Sequence, residues 1–175
     1  MRAIAGLARR CEKEDVSSKV TVRAARPDDE EAIGLLGAML VAEHHEFDAR
    51  RFLAPEPGLP ERYGEFLVSQ ISRPEMVVLV AEVSGKRVGY AFGGMEGTDY
   101  MALRGPAGVL YDLVVDPAHR RRGVGSALMN AALETLGALG APRVLLSTAE
   151  RNQGAQALFA KAGFRRTMIE LTREF

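Results

Sequence analysis

Three arginines, Arg120, Arg121 and Arg122, run straight into Gly123-Val124-Gly125-Ser126. The apolar stretch Leu113-Val114-Val115 and then Asp116-Pro117 come before them, and from Val124 onward apolar residues fall at helical spacing. The pattern is a strand, a short basic loop and the first turn of a helix. The first N–H groups of a helix have no intrahelical acceptors, and the aligned peptide dipoles leave partial positive charge there. Gly123 and Gly125 lack the Cβ that would hold an anion off the backbone, and flanking guanidiniums add charge-assisted bonds to phosphate oxygens. Such a stretch is suited to cradle a pyrophosphate; the plainer alternative is a solvated turn rich in Arg and Gly. It is not a dinucleotide fingerprint, because Leu128 stands where the third glycine of G-x-G-x-x-G belongs. Nor is it a P-loop, which requires Gly-Lys-Ser/Thr.

The elements that must position this loop can be followed along the chain. Val20 to Arg23 alternates β-branched and polar residues as a short strand. Pro27 sits at a helix start, with Asp28, Asp29, Glu30 and Glu31 complementing the dipole. Pro55, Pro57 and Pro60 mark a loop, and a second helix is expected from Glu61 to Ser72 with Tyr63, Phe66, Leu67 and Ile71 inward. Met76–Val83 and Arg87–Gly93 read as a hairpin about Ser84-Gly85-Lys86, and Val109–Val115 as the next strand. A helix follows from Gly123 until Gly140-Ala141-Pro142 stops it. Arg143–Thr148 is expected as a strand, Asn152–Ala162 as a helix, and Phe164–Thr172 as a last strand. Antiparallel hairpins followed by a β-α-β crossover predict a mixed α/β sheet.

Composition narrows the function classes. The 175 residues fit one domain, and residues 1–18 read as a loose extension ahead of a domain over 19–175. Lys and Arg total 23, as do Asp and Glu, so no global field recruits nucleic acid or an anionic membrane. No apolar run reaches the roughly 18 residues of a membrane span, and the first residues lack a secretory leader's apolar core. A single cysteine, Cys11, excludes an internal disulfide framework. Together these predict a cytoplasmic protein. A metal site is not expected, because His44 and His45 are adjacent on a helix and so do not share a face, and His119 is distant in sequence.

Two motifs carry a family resemblance. Arg120-x-x-Gly123-x-Gly125, after Val114-Val115-x-Pro117, resembles the acetyl-CoA loop of the GNAT superfamily of N-acetyltransferases. Asn152-x-x-Ala155-x-x-Leu158-Phe159-x-Lys161-x-Gly163-Phe164 resembles that family's closing helix. The resemblance implies a GNAT-like fold, with a mixed sheet of six or seven strands and about four helices. It implies transfer of an acetyl group from acetyl-CoA to a primary amine of a small molecule or protein, by direct attack in a ternary complex. It also implies homodimers. By position, Leu113, Val114 and Val115 would pair with the pantetheine arm. Arg120, Arg121, Arg122, Gly123, Val124, Gly125 and Ser126 would hold the pyrophosphate. Asn152 would contact the donor near its reactive end, although Asn there also suits a helix N-cap.

The same resemblance nominates acceptor-side residues. Asp112, one residue before the splayed strand, is the candidate general base; the alternative is a surface carboxylate paired with an arginine. His44, Glu46 and Asp48 fall near the family's substrate cleft, and Tyr90, Tyr100 and Tyr111 are core aromatics or substrate contacts. Phe159 departs from the family, since many relatives carry a tyrosine there whose hydroxyl protonates the leaving thiolate. Phe159 is expected to line the donor channel and to supply no proton. That departure keeps open a catalytically weak or inactive CoA-binding regulatory domain, and a longer acyl group is a third reading.

Overall fold

The computed structural model describes residues 19–175. The strands are β1 (Thr21–Ala24), β2 (Met76–Val83), β3 (Lys86–Glu96), β4 (Ala107–Val115) and β5 (Val144–Leu146). The α-helices are α1 (Glu30–Phe47), α2 (Leu59–Gln70), α3 (Val124–Ala138) and α4 (Gln153–Lys161). The sheet order is β1-β2-β3-β4-β5, antiparallel throughout except for the parallel pair β4–β5 that α3 connects. Helices α1 and α2 cover one face, over a core that includes Ile33, Leu67, Val80, Tyr90 and Val114. Helices α3 and α4 cover the other, over Leu79, Leu110, Leu128, Leu136 and Phe159.

Two glycines set how closely α1 and α2 cross. A Cβ on Gly34 would fall 2.2 Å from the Pro60 carbonyl oxygen, and one on Gly64 2.6 Å from that of Glu30. Contacts this short admit no side chain at all, so the helices approach backbone to backbone.

The described residues contain five strands, fewer than the six or seven that the resemblance implies. Helix α4 ends at Lys161, and Gly163 just beyond it, with φ of +90°, reverses the chain, but residues 164–175 form no strand. Thr167, Ile169 and Thr172 give the segment a local preference for a strand, yet a strand exists only through a hydrogen-bonded neighbour. Met168, Ile169 and Leu171 lie exposed, and only Phe164 packs on the core, edge-on to Phe159 at 6.1 Å. No described helix is long and apolar enough to cross a membrane.

Candidate active site

Strands β4 and β5 pair over three residues only, Gly108↔Val144 to Leu110↔Leu146. Beyond that point β4 runs on to Val115 while β5 ends, and the two chains diverge. The gap opens into a groove of about 740 Å3, lined on one side by Tyr111 to Leu113 and Val115, on the other by Ser147 and Thr148. At its far end lies the start of α3.

That helix start has the expected character. Arg121 and Gly123 both take left-handed backbone conformations, with φ of +64° and +85°, which turn the loop into the helix. No side chain caps α3, and the N–H groups of residues 121–126 find no acceptor among the described residues. These amides and the helix dipole put partial positive charge at an end of the groove that Arg121, Gly123, Gly125 and Ser126 line. Gly125 stands where α3 meets α4: a Cβ there would sit 3.3 Å from Leu158 Cδ2. Arg121 and Arg122 are exposed and in no ion pair among the described residues. Arg120 differs from them, because its guanidinium makes a two-pronged pair with Glu43 of α1 at 2.8 Å and donates from Nε to the Val115 carbonyl. It ties the loop to α1 across the groove.

The amides facing the gap are fixed by register. Asp116 N–H donates to the Val88 carbonyl and Tyr90 faces Val114, so the N–H of Val114 points toward β3. Alternation then turns the N–H groups of Leu113 and Val115 into the groove. Asn152 caps α4, its side-chain oxygen accepting from Ala155 N–H at 3.0 Å, and it also lines the groove. Phe159 is buried and lines the groove from below.

Asp112 lies in a setting that the sequence does not announce. The register shifts between Phe92↔Asp112 and Gly93↔Leu110, so Tyr111 is an extra residue, a β-bulge. Strict alternation would put Leu110 and Asp112 on one face. The bulge instead leaves Leu110 under α3 and turns Asp112 toward α2. There its Oδ2 accepts from the Tyr63 hydroxyl at 2.7 Å and from the Tyr90 hydroxyl at 2.9 Å. Its Oδ1 accepts no hydrogen bond from the described residues and is not fully buried, and Asp112 lines the groove. Burial pushes the Asp112 carboxyl above the usual carboxylate range, against the opposing pull of the two tyrosines and of His44. Burial also raises the Tyr63 and Tyr90 hydroxyls, which therefore stay protonated donors at neutral pH.

The other expected acceptor-side residues separate. His44 lines the groove, with Nδ1 2.9 Å from the Leu40 carbonyl and its ring edge-on to Phe52 at 5.0 Å. A neutral ring in that contact donates from Nδ1 and leaves Nε2 as an acceptor. Tyr111 also lines it, its hydroxyl donating to Glu96 at 2.7 Å and pushed up to about 12, chiefly by burial. Asp48 caps the end of α1, accepting from Arg50 N–H at 3.0 Å, and does not line the groove. Glu46 and Tyr100 do not line it either. Among the described residues no group of three or more His, Cys, Asp or Glu could hold a metal ion.

Tyr63 is the functional candidate that sequence reasoning treats only as core. It reaches Asp112 because Gly37 leaves space: a Cβ there would lie 2.2 Å from the Tyr63 ring. Gly37→Val is expected to push Tyr63 off Asp112 and remove a hydrogen bond that favours the ionised carboxylate. The carboxyl pKa then rises, which an upward shift in the acid limb of the pH–rate profile would show; an unmoved limb would separate Tyr63 from Asp112's titration.

Residues 41–164 match the model of the acetyltransferase (GNAT) family, and the chain belongs to that family. An uncharacterized N-acetyltransferase of Mycobacterium tuberculosis is 34% identical over 116 residues, 65% of this chain and 64% of that protein. The match thus spans a little under two thirds of that relative's length. A mycothiol acetyltransferase of Clavibacter michiganensis is 35% identical over 98 residues, 56% of this chain and 29% of that protein. Among solved structures, a Bacillus halodurans protein superposes with a TM-score of 0.72 at 22% identity, covering 88% of this chain and 99% of its own. An aminoglycoside N-acetyltransferase in complex with CoA gives 0.68 at 19% identity, covering 90% and 95%. Identities this low bear on the fold alone.

Proposed function

We propose that the protein is an acetyl-CoA-dependent N-acetyltransferase that acetylates a primary amine. The observation that carries this reading is the gap between β4 and β5, leading from Asp112 to the bare amides at the start of α3. An extended thioester with a diphosphate at one end fits those two chemistries. The residues present suit it: N–H groups of 121–126 and the guanidiniums of Arg121 and Arg122 for the diphosphate, β4 backbone for the arm. Acetyl-CoA supplies the acyl group already activated as a thioester.

The chain's own groups provide the rest. The N–H groups of Leu113 and Val115 face the groove and can donate to the thioester carbonyl as it gains charge. Asp112 Oδ1 takes the proton that the amine nitrogen sheds as the C–N bond forms. Tyr63 and Tyr90 hold the carboxylate still by its other oxygen. Phe159 gives no proton, and none is required, because a thiol ionises near about 8.5 and its thiolate can leave unaided.

Incubating the protein with acetyl-CoA, a panel of amines and a thiol reagent tests this reading directly. Amine-dependent release of CoA is expected; binding of acetyl-CoA without release would favour the regulatory CoA-binding domain instead. Gly125→Leu is expected to weaken acetyl-CoA binding by a hundred-fold or so, roughly 3 kcal/mol, since the side chain fills the space between α3 and α4. Unchanged affinity by calorimetry would remove the α3 start from the donor site.

A further inference from the structure

A second cleft of about 400 Å3 lies beside α2 and shares Tyr111 and Asp112 with the groove. Its walls are aromatic and in mutual contact: Tyr63 and Phe66 at 6.4 Å, Phe66 and Phe92 at 5.7 Å, Phe92 and Tyr111 at 5.0 Å. Phe92 is 6% exposed and forms the depth, whereas Phe66 at 49% and Tyr111 at 39% form the mouth. Asp112 is the only acidic side chain among the described residues lining this cleft; it lines the groove as well, and its Oδ1 accepts no hydrogen bond from the described residues. Arg73 lines the same cleft, bonded to Glu75 at 2.6 Å and to Gln70 at 3.0 Å.

We infer that this aromatic cleft is the acceptor subsite, and that it takes a primary monoamine carried on a flat apolar body, such as an arylalkylamine. The inference rests on the acetyltransferase reading and adds the substrate class to it. An ammonium group meets one carboxylate oxygen and the negative faces of surrounding rings, and both attract it. A flat body behind it stacks or packs edge-on against Phe66, Phe92 and Tyr111, as aromatic pairs prefer. The bulge at Tyr111 delivers the amine to the groove, because it aims Asp112 into the cleft while Leu113 faces the donor side.

Polycations fit the cleft poorly. A polyamine or aminosugar needs a carboxylate for each further ammonium, and among the described residues the cleft lining supplies only Asp112. The other acid lining the groove, Glu43, is already held by both prongs of Arg120, and Glu96, beside the cleft mouth, is held by Tyr111 and Arg104. Arg73 puts a further cation, paired with Glu75, in the cleft lining, which disfavours a second ammonium there.

The test compares 2-phenylethylamine, spermidine and kanamycin by CoA release at saturating acetyl-CoA, with calorimetry of 2-phenylethylamine into the CoA-bound protein. The expected result is a kcat/KM for 2-phenylethylamine at least roughly ten-fold above either polycation. Phe66→Ala, at a half-exposed position that tolerates truncation, is expected to raise KM for 2-phenylethylamine about ten-fold, with KM for acetyl-CoA unchanged. Phe92→Leu keeps an apolar side chain in the depth but removes the ring face, and is expected to act in the same direction. A preference for spermidine or kanamycin, or an unmoved KM in both variants, would overturn the substrate class while leaving the acetyltransferase intact. If acetyl-CoA binds and none of the amines releases CoA, the acetyltransferase reading falls and the subsite with it.

Discussion

Replacing Asp112 by asparagine is expected to lower kcat/KM for the amine by roughly 10²–10⁴-fold, the usual worth of a positioned general base. Acetyl-CoA affinity is expected to stay the same. The substitution keeps shape, and an amide oxygen can still accept from Tyr63 and Tyr90, so the local packing survives. What is lost is the second oxygen, the open one, which becomes an NH2 that cannot take a proton. Burial holds the carboxyl above its ordinary range, and this makes it a better base than an exposed aspartate.

The pH dependence follows from that direction. On the proposed mechanism Asp112 works as the carboxylate, so the parent's rate is expected to fall as pH drops through the raised pKa, above the ordinary value of about 3.9. The asparagine variant should lose that limb. Stability moves the opposite way. A carboxyl whose folded pKa is raised contributes stability below its unfolded pKa and loses it as pH rises through the folded one. At neutral pH the ionised Asp112 therefore costs stability, and the asparagine variant should melt no lower than the parent. An unaltered rate with a lowered melting temperature would make Asp112 a structural residue only.

Some of this site is legible in the chain alone. Arg121 to Ser126 combine glycines, guanidiniums and a helix start within one short stretch, and local chemistry of that kind needs no knowledge of the fold. The same holds for Asn152, whose dual suitability for cap and groove is visible in its place before an apolar helix. The acceptor side is different, because it is assembled from distant segments. Nothing in Val109-Leu110-Tyr111-Asp112-Leu113 marks a bulge, as no glycine or proline interrupts the alternation. Yet the bulge decides which face Asp112 takes. Tyr63 sits on an inward helical stripe and is indistinguishable there from core; its hydroxyl finds Asp112 only because Gly37 faces it. Arg120 shares its composition with the two arginines that follow, but Glu43, 77 positions earlier, claims it. The last expected strand shows the converse. Phe164 to Thr172 has the local preference for one, and in the described chain no neighbour completes it.

Asp29 belongs to the same class of long-range surprise, and removing it is expected to have the largest effect on stability. Its sequence context suggests an exposed acid at a helix start, but the side chain is 0% exposed. Arg23 donates to both carboxylate oxygens at 2.7 and 2.9 Å, Arg87 Nε donates at 2.9 Å, and the Arg26 N–H at 2.8 Å. Asp29 thus joins β1, β3 and the entry to α1 through one carboxylate. Asp29→Ala leaves the two guanidiniums to Glu82, with Asp28 a further partner of Arg87 at 3.5 Å, and breaking a buried pair in this way costs about 3–5 kcal/mol. Water still reaches both arginines, with side chains 21% and 31% exposed, which favours the low end, about 3 kcal/mol. Against a total stability of about 5–15 kcal/mol, the loss should be plain in urea unfolding at neutral pH. The Arg23 hydrogen bonds, more than any other cause, hold the Asp29 carboxyl far below the usual range. With a depressed folded pKa, its contribution is complete above the unfolded value of about 3.9 and disappears as pH falls toward the folded one. The gap between parent and variant should hold from neutral pH down to about pH 5, then narrow steadily below about pH 4. Asp29 lines neither cleft, so kcat/KM measured well below the melting temperature should stay at the parental value. A gap that fails to narrow in acid would mean that lost packing, rather than the charge, supplied the stability.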